Sequence, residues 1–358
     1  MPFDFISNFP SLITIGEPRY ENGLLIFPIY NKKAPKRNIV DSSNVSIREL
    51  TSETVPFLEA ENTSSDIALI LDSEVLAGGK QDRVLNQPVM LKPGQISKVP
   101  VSCIEQGRWG RSSGDFTSVG IMPSKLRSDR IDSWTQTIRH RKQQRMPVTS
   151  QENEPQENEQ QEQSIPAWAD FTDTTNPFGL TALSQTLSTH IHRERTENIQ
   201  SLTWNSISQR RIEQNYRDTT GSLKDVIEET KTITENFNYP EQATGMIVCK
   251  RNSEGLERVQ LVEWFDAPQI AKKRWDATLR QQLEGYNIVH LGPKSTERNI
   301  SKAEIRHFLT CLTRMNFEEM DQYGCAKTVT LEHKNHQNTR GVVVAYENEI
   351  CHLSLISA

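Results

Sequence analysis

Short, strongly apolar runs recur through the first 125 residues and constrain the fold more than any other feature of the chain. The runs at residues 24–29 and 67–71 are apolar almost throughout, which is typical of strands that are covered on both faces. Turn residues such as Pro93 and Gly94 separate further short extended runs. Closely spaced strands and turns of this kind predict an antiparallel sandwich or a barrel-like sheet in this part of the chain.

The remaining sequence alternates between helical and extended patterns. Residues 181–237 carry apolar side chains at helical spacing, and residues 268–285 and 305–320 are predicted to be helical as well. A hairpin is predicted at residues 245–265, and two strands close the chain at residues 341–356. The fold class that follows is α+β, with a strand-rich antiparallel N-terminal half, a helical middle segment and C-terminal strands that return to the sheet.

A segment rich in glutamine and glutamate interrupts these patterns. Residues 149–164 contain no aliphatic, aromatic or basic side chain, so they cannot bury enough apolar surface to offset the entropy of ordering. We therefore predict a disordered insertion at residues 146–166. The whole of 1–358 is expected to be one domain, in which residues 1–125 are the strand-rich part and residues 167–358 are the mixed helix and strand part.

Composition and charge exclude several classes of protein. The net charge of -5 and the pI near 6.0 give no overall basic footprint for nucleic acid. No apolar run approaches the roughly 20 residues that a membrane helix needs, and the N-terminus lacks the pattern of a signal peptide. The five cysteines are odd in number and form no CxxC pair. A reducing, cytoplasmic location is therefore expected, with neither nucleic acid nor a membrane as partner.

A basic run at residues 139–145 precedes the acidic insertion. We interpret the two segments as exposed and mutually solvated, because charge runs seldom encode binding by themselves. Contacts between the basic run and the phosphates of a nucleic acid are the weaker alternative.

Two polar blocks stand between apolar strands and mark a candidate site. The first covers residues 71–86 and the second residues 99–110, and together they hold three cations, several carboxylates, a cysteine and a tryptophan. A segment that only had to fold would not need so many strong donors and acceptors beside buried-type residues. The candidate ligand-binding residues are Lys80, Gln81, Arg83, Asn86, Gln106, Arg108 and Trp109, and the candidate catalytic residues are Glu105, Glu74 and Cys103.

The cations of these blocks suit a small molecule that contains phosphate. Arginine and lysine side chains donate to phosphate or carboxylate groups, and arginine can do so bidentately. Gly78 and Gly79 would let backbone N–H groups approach the same anion. Trp109 could stack on a base or another ring.

The acidic residues and the cysteine point to three kinds of chemistry. Glu105 or Glu74 would act as general base on water. Together with Asp72, the same carboxylates would instead hold a divalent cation such as magnesium, which prefers hard oxygen ligands. Cys103 beside Glu105 suggests a nucleophile.

Each of these residues also has a structural interpretation. The arginines and lysines beside glutamate would form a buried ion-pair network, because paired charges are how buried charges survive. Cys103 would be a small buried hydrophobe and Trp109 a core anchor. The eight histidines show no zinc-ligand spacing, and His352 is interpreted as a hydrogen-bonded structural residue.

The two blocks resemble one prokaryotic family in particular. Residues 71–86 read Leu-Asp-Ser-Glu-Val-Leu-Ala-Gly-Gly-Lys-Gln-Asp-Arg-Val-Leu-Asn, and residues 100–109 read Pro-Val-Ser-Cys-Ile-Glu-Gln-Gly-Arg-Trp. These are similar to the Lys-Gln-x-Arg-x-x-Asn and Ser-Cys-x-Glu-x-Gly-Arg-Trp blocks of the ARG and rhodanese-phosphatase-superfamily-associated protein domain. The chain departs from that pattern at Gly79 and Asp82, where alanine and asparagine are expected. Weaker matches at Trp204, Gly245, residues 264–266 and the closing hairpin extend the resemblance from about residue 10 to the C-terminus.

The resemblance implies a context and no mechanism. The family's name implies genomic association with ADP-ribosylglycohydrolases and rhodanese-like phosphatases, which suggests NAD- or ADP-ribose-derived molecules or a prokaryotic conflict system. The first hypothesis is accordingly an enzyme that processes a phosphorylated, nucleotide-derived small molecule, by hydrolysis. The alternative is a non-catalytic ligand-sensing or protein-interaction module whose polar motif is structural.

Overall fold

The computed structural model describes residues 4–21, 24–50, 56–104, 114–145, 201, 203–205, 207–208, 237–251, 257–283, 300–333 and 338–357. Within these residues, the strands form a closed six-stranded barrel, a nine-stranded antiparallel sheet and a three-stranded sheet. Helices cover both faces of the nine-stranded sheet. The chain is therefore α+β, as the sequence predicted.

The strands in chain order are β1 (Ile13–Ile15), β2 (Arg19–Glu21), β3 (Leu24–Asn31), β4 (Ile39–Asp41), β5 (Val45–Glu49), β6 (Phe57–Asn62), β7 (Ile67–Ile70), β8 (Glu74–Gly78), β9 (Arg83–Leu85), β10 (Val89–Leu91), β11 (Ile96–Cys103), β12 (Asp115–Ile121), β13 (Gly245–Arg251), β14 (Glu257–Phe265), β15 (Asn316–Glu319), β16 (Lys327–His333), β17 (Thr339–Tyr346) and β18 (Glu349–Ile356). The α-helices are α1 (Asp4–Ser7), α2 (Phe9–Leu12), α3 (Ser124–Arg145), α4 (Pro268–Leu283) and α5 (Lys302–Leu309). Short 3-10 turns cover Ser42–Asn44 and Thr310–Arg314.

The barrel lies in the N-terminal part of the chain, where the sequence predicted closely spaced strands. Its strands follow the order β11-β6-β5-β12-β8-β9, and neighbouring strands are antiparallel. Half-buried and fully buried residues alternate along β6, as expected where one face of a strand lines a barrel interior. Leu58, Leu76 and Leu85 belong to the apolar cluster that fills the interior.

The large sheet has β3 near one end of the order β1-β3-β13-β14-β18-β17-β16-β15. Leu25 and Phe27 of β3 join the core beneath α1, α2 and α5, whereas Leu24 and Ile26 join the core beneath α3 and α4. The strand is thus buried on both faces, as its apolar run predicted.

Two helical segments differ from the prediction. The helix predicted over residues 305–320 is wrong beyond its first turns, because α5 ends at Leu309 and residues 316–319 form β15. There the backbone pairs with β16, and this tertiary pairing outweighs the local pattern. Helix α3 was not predicted, although Ile131, Trp134 and Ile138 are buried at helical spacing along it.

Parts of the prediction fall outside the described residues. They include the insertion predicted at residues 146–166 and most of the helical pattern at 181–237. Within that pattern, residues 203–205 and 207–208 are helical.

Candidate functional site

The first polar block forms β8, β9 and the turns beside them. Asp72, Glu74, Gln81, Arg83 and Asn86 are all buried. Lys80 is half-buried, and its backbone N–H donates to Glu49 at 3.3 Å. Of the second block, Cys103 ends β11 and is buried, whereas Glu105, Gln106, Arg108 and Trp109 lie outside the described residues.

Arg83 lies against Cys103 across the pairing of β9 with β11. Its Nη1 donates to Gln81 Oε1 at 3.1 Å and to Cys103 Sγ at 2.8 Å. Burial raises the pKa of the Cys103 thiol, although Arg83 acts in the opposite direction. A buried thiol with a raised pKa is a poor nucleophile at neutral pH, so this geometry favours a structural role for Cys103.

Two of the three described carboxylates of the block, Asp72 and Glu74, accept hydrogen bonds from arginine side chains. Glu74 accepts from Arg274 of α4, from the Ser42 hydroxyl and from the backbone N–H of Leu71. Asp72 accepts two bonds from Arg127, at 2.8 Å to each carboxylate oxygen. These oxygens are therefore engaged by guanidinium groups, an arrangement that suits a structural ion pair better than the coordination of magnesium.

Arg127 of α3 joins the block to the large sheet. Besides Asp72, its Nη1 contacts Glu263 of β14 at 3.0 Å and Ser354 of β18 at 2.9 Å. Burial alone would raise the pKa of Asp72, but Arg127 holds that pKa below its usual range. His352 lies beside Glu263 at 3.6 Å, and burial lowers the pKa of its imidazole. The result is a buried network of charges that connects three elements distant in sequence.

Asn86 is a buried connector between the barrel and α3. Its Oδ1 accepts from Arg130 Nη2 at 2.6 Å and from the Ser102 hydroxyl at 2.7 Å. Burial lowers the pKa of Arg130 to about 10. A guanidinium this deeply buried orients Asn86 toward the protein interior, so a ligand would have to displace these bonds to reach it.

A first cleft, here called the barrel–helix cleft, opens between the barrel and α4. It has a volume of about 490 Å³ and is lined by Asp41, Ser42, Ser43, Val45, Ile47, Leu76, Phe116, Thr117, Ser118, Val119, Gly120, Ile121, Lys273, Arg274 and Ala277. Strand pairing between β5 and β12 ends at Phe116, while β12 continues to Ile121 along β8. The barrel is closed by this short pairing, here called the seam, and β12 leaves β5 beyond Phe116. The buried side chains of Ile47, Leu76 and Phe116 form an apolar floor there.

Polar and charged groups surround this floor. Lys273 contacts Asp41 at 2.5 Å and donates to the Ser43 hydroxyl at 3.0 Å. Burial alone would raise the pKa of Asp41, but hydrogen bonds from Lys273 and Ser43 hold it below its usual range. Arg274 lies deeper and is anchored by Glu74, so the first polar block supports the cleft from behind.

A second cleft, here called the lysine cleft, lies at the ends of β3, β14 and β18. Its volume is about 420 Å³, and its lining includes Asn31, Lys32, Lys33, Lys36, Trp264, Asp266 and Glu349. Trp264 Nε1 donates to Asn31 Oδ1 at 2.8 Å, and Asn31 Nδ2 donates to Asp266 Oδ1 at 3.0 Å. Burial raises the pKa of Asp266 to about 6, with a further contribution from Glu349. A carboxyl with such a pKa exchanges its proton near neutrality.

We expect Asp266→Asn to stabilise the protein at pH 7.5 by on the order of 1 kcal/mol, after allowance for solvent screening of this partly exposed group. The pKa of Asp266 rises from its ordinary value of 3.8 to about 6 in the folded protein, so the wild type loses stability as the pH rises through this range and the carboxyl becomes charged in its partly buried position. The variant has no charge to desolvate there. Denaturant unfolding of both proteins from pH 4 to pH 8 measures the difference, which should vanish at pH 4. A constant difference across that range would contradict the assignment.

Sequence reasoning did not single out three residues that matter in these arrangements, Arg127, Arg130 and Arg274, and it marked Asp266 only within the weaker family match at residues 264–266, without a role. The arginines lie in helices far from the polar blocks along the chain, so spacing alone did not connect them with Asp72, Asn86 and Glu74. A signal did exist for the lysine cleft. The basic run at residues 32–37 directly follows the buried strand β3, and Asp266 directly follows β14.

The family model described as ARG and Rhodanese-Phosphatase-superfamily-associated Protein domain matches residues 12–356. No curated protein and no solved structure matches the chain. Among the described residues, no helix has the length and apolar character that crossing a membrane requires, and no group of three or more acidic, histidine or cysteine side chains is arranged to hold a metal ion.

Proposed function

The chain belongs to the family of ARG and rhodanese-phosphatase-superfamily-associated protein domains, and on that premise we propose that it binds a phosphorylated small molecule derived from NAD, ADP-ribose or another nucleotide. The observation that carries the proposal is the barrel–helix cleft, where an apolar floor lies beside the side chains of Lys273 and Arg274 and the hydroxyls of Ser42 and Ser43. Nucleotide-derived ligands combine the same two features, a flat ring and an anionic phosphate. Such a ligand would also suit the prokaryotic defence context that the resemblance implies.

The cleft offers donors of the kind that phosphate needs. Lys273 is exposed at its edge, and Arg274 lies below with its guanidinium held by Glu74. The hydroxyls of Ser42 and Ser43 lie in the same wall. A phosphate at this position would gain charge-assisted hydrogen bonds from groups already held in place, which reduces the entropy lost on binding.

The floor offers a surface for the ring of the ligand. Phe116 keeps 6% of its surface exposed at the seam between β5 and β12, whereas Leu76 is fully buried. Leu76 belongs to the polar block that resembles the family. In this proposal the block supports the floor of the binding site from within, while its carboxylates Asp72 and Glu74 accept hydrogen bonds from arginines.

Hydrolysis of the bound ligand is the finer part of the proposal. Asp41 is the carboxylate of the cleft wall, and its lowered pKa keeps it ionised at neutral pH. In this proposal it orients the attacking water by accepting a hydrogen bond from it. The candidates Glu105 and Cys103 stay predictions, and Glu105→Gln is the variant that tests the first of them.

A specific observation favours the non-catalytic alternative. Asp41 and Glu74, the carboxylates in and beneath the cleft, already accept hydrogen bonds from Lys273 and Arg274 respectively. A site of that kind can recognise a ligand without acting on it, as a sensor would. Calorimetry combined with product analysis separates the two, since a sensor binds without turnover.

We expect Lys273→Gln to weaken binding of the ligand about tenfold, because one charge-assisted contact of about 1.4 kcal/mol is lost. The matched control is Lys272→Gln, which alters the neighbouring exposed residue of the same helix, outside the cleft lining. The measurement is calorimetric titration with ADP-ribose, NAD and cyclic nucleotides, with chromatography of the mixture to detect product.

Two outcomes would count against the proposal. One is the absence of binding for each of these compounds to the wild type. The other is an equal loss in the Lys272 and Lys273 variants, because a general effect of removing positive charge would then explain it.

A further inference from the structure

The lysine cleft shares no lining residue with the barrel–helix cleft, and its charges are arranged for a different ligand. We propose that the lysine cleft binds a small oxyanion of the phosphate or sulfate class and that the Asp266 carboxyl takes up a proton when the anion binds. The inference concerns a second site and stands whether or not a nucleotide binds beside the barrel.

The balance of charge favours an anion at this position. Lys36 pairs with Glu349, whereas Lys32 and Lys33 have no carboxylate partner among the described residues. Lys32 Nζ donates to the backbone oxygen of Ser11 at 2.9 Å, which holds its ammonium group at the cleft. Two uncompensated positive charges beside one concave surface create a favourable potential for a doubly charged anion.

The residues at the floor of the lysine cleft explain why Asp266 would take up a proton when an anion binds. Asn31 is oriented by Trp264, so that its amide nitrogen faces Asp266. An ionised Asp266 would repel an anion held by the lysines, whereas the protonated carboxyl is neutral and can donate a hydrogen bond to it. Binding of the anion and protonation of Asp266 therefore stabilise each other.

The groups around Asp266 set the pH range in which its carboxyl gains or loses a proton. Burial and Glu349 of β18 raise its pKa, to about 6, while Arg37, Asn31 and Lys36 from the segment that follows β3 act in the opposite direction.

The other titratable groups near Asp266 have a smaller effect on its pKa. Cys351 on β18 also faces it, but burial raises the pKa of that thiol to about 12, so it is uncharged at neutral pH. Lys32 and Lys33 complete the set of charges on the cleft wall. An added dianion would move the Asp266 pKa further upward, toward neutrality.

The test uses sulfate, whose own charge is constant between pH 5 and 8. The side-chain carboxyl carbon of Asp266 is followed by NMR across that range at constant ionic strength, with and without saturating sulfate, and Asp266→Asn identifies the signal. We expect sulfate to raise the Asp266 pKa by about one unit and to bind several-fold more tightly at pH 5.5 than at pH 7.5. An Asp266 pKa that sulfate leaves unchanged would overturn the proposal.

Three variants separate the site from general charge effects. Lys33→Gln should weaken sulfate binding several-fold, whereas Lys98→Gln, which removes an exposed lysine on the barrel strand β11, should leave it unchanged. Asp266→Asn should bind sulfate equally well at both pH values. Equal losses in the two lysine variants, or a pH dependence that survives in Asp266→Asn, would contradict the inference.

Competition experiments distinguish the two sources of such an anion. Displacement of sulfate by inorganic phosphate and by a sugar phosphate with equal affinity supports the free anion as ligand. Tighter displacement by the sugar phosphate supports a metabolite that carries the group. Failure of both to displace sulfate would overturn the assignment to this class of oxyanion.

Discussion

Replacing Arg127 with methionine is expected to reduce the free energy of unfolding by about 3–5 kcal/mol. The guanidinium pairs with both Asp72 and Glu263, and both carboxylates are buried. Removing it leaves two negative charges in the protein interior, where water cannot compensate them. Urea unfolding followed by circular dichroism measures the loss.

The matched control is Arg340→Met. Arg340 of β17 also connects the large sheet with α3, through Asp132 at 2.9 Å, but this pair is partly exposed to solvent. We expect a loss of no more than about 1 kcal/mol there. Adding Asp72→Asn to Arg127→Met should recover part of the lost stability, because an amide needs no counter-charge. A double variant no more stable than the single variant would show that lost packing, and not the uncompensated charge, dominates.

Replacing Gly78 with alanine is expected to cost about 2–4 kcal/mol of stability, because two steric effects combine at this position. Gly78 has a φ of 138°, which side chains other than glycine rarely adopt. An added Cβ would also lie 2.2 Å from the backbone oxygen of Asp115. The pairing of β8 with β12 must shift to relieve that contact, which would disturb the seam of the barrel–helix cleft.

The control for this variant is Gly114→Ala, at the residue before β12. An added Cβ there meets no atom within 4 Å, so we expect a change within about 0.5 kcal/mol. Thermal unfolding of both variants, monitored by circular dichroism, is the measurement. A Gly78 variant as stable as the Gly114 variant would mean that the glycine is not required by the fold, and the role in anion binding suggested by the sequence would gain weight.

The fold was predictable where burial follows from local spacing. The apolar run at residues 24–29 indicated a strand buried on both faces, and β3 is buried in that way. The prediction was wrong at residues 316–319, which could continue a helix by local pattern but pair with β16 in the fold. Only the position of β16 decides between the two, and that position is a tertiary property.

The candidate site was predictable only in part, for the same reason. The sequence marked Asp72, Glu74 and Asn86 as unusual polar residues within an apolar region. It did not indicate their partners, because Arg127, Arg274 and Arg130 come from helices that are separated from them by many residues. The spacing of residues along the chain indicates contacts within one helix or strand, and it does not indicate contacts between elements far apart in sequence.

By itself, the sequence determined the family, the α+β class and the location of a dense polar block, since each depends on residue identity and on short-range periodicity. The tertiary structure decided which charges neutralise one another and which remain available to a ligand. Charges interact through space, so the outcome depends on how α3 and α4 pack against the barrel and the large sheet. That packing pairs Asp72 and Glu74 with arginines, and it leaves Lys32 and Lys33 without carboxylate partners among the described residues.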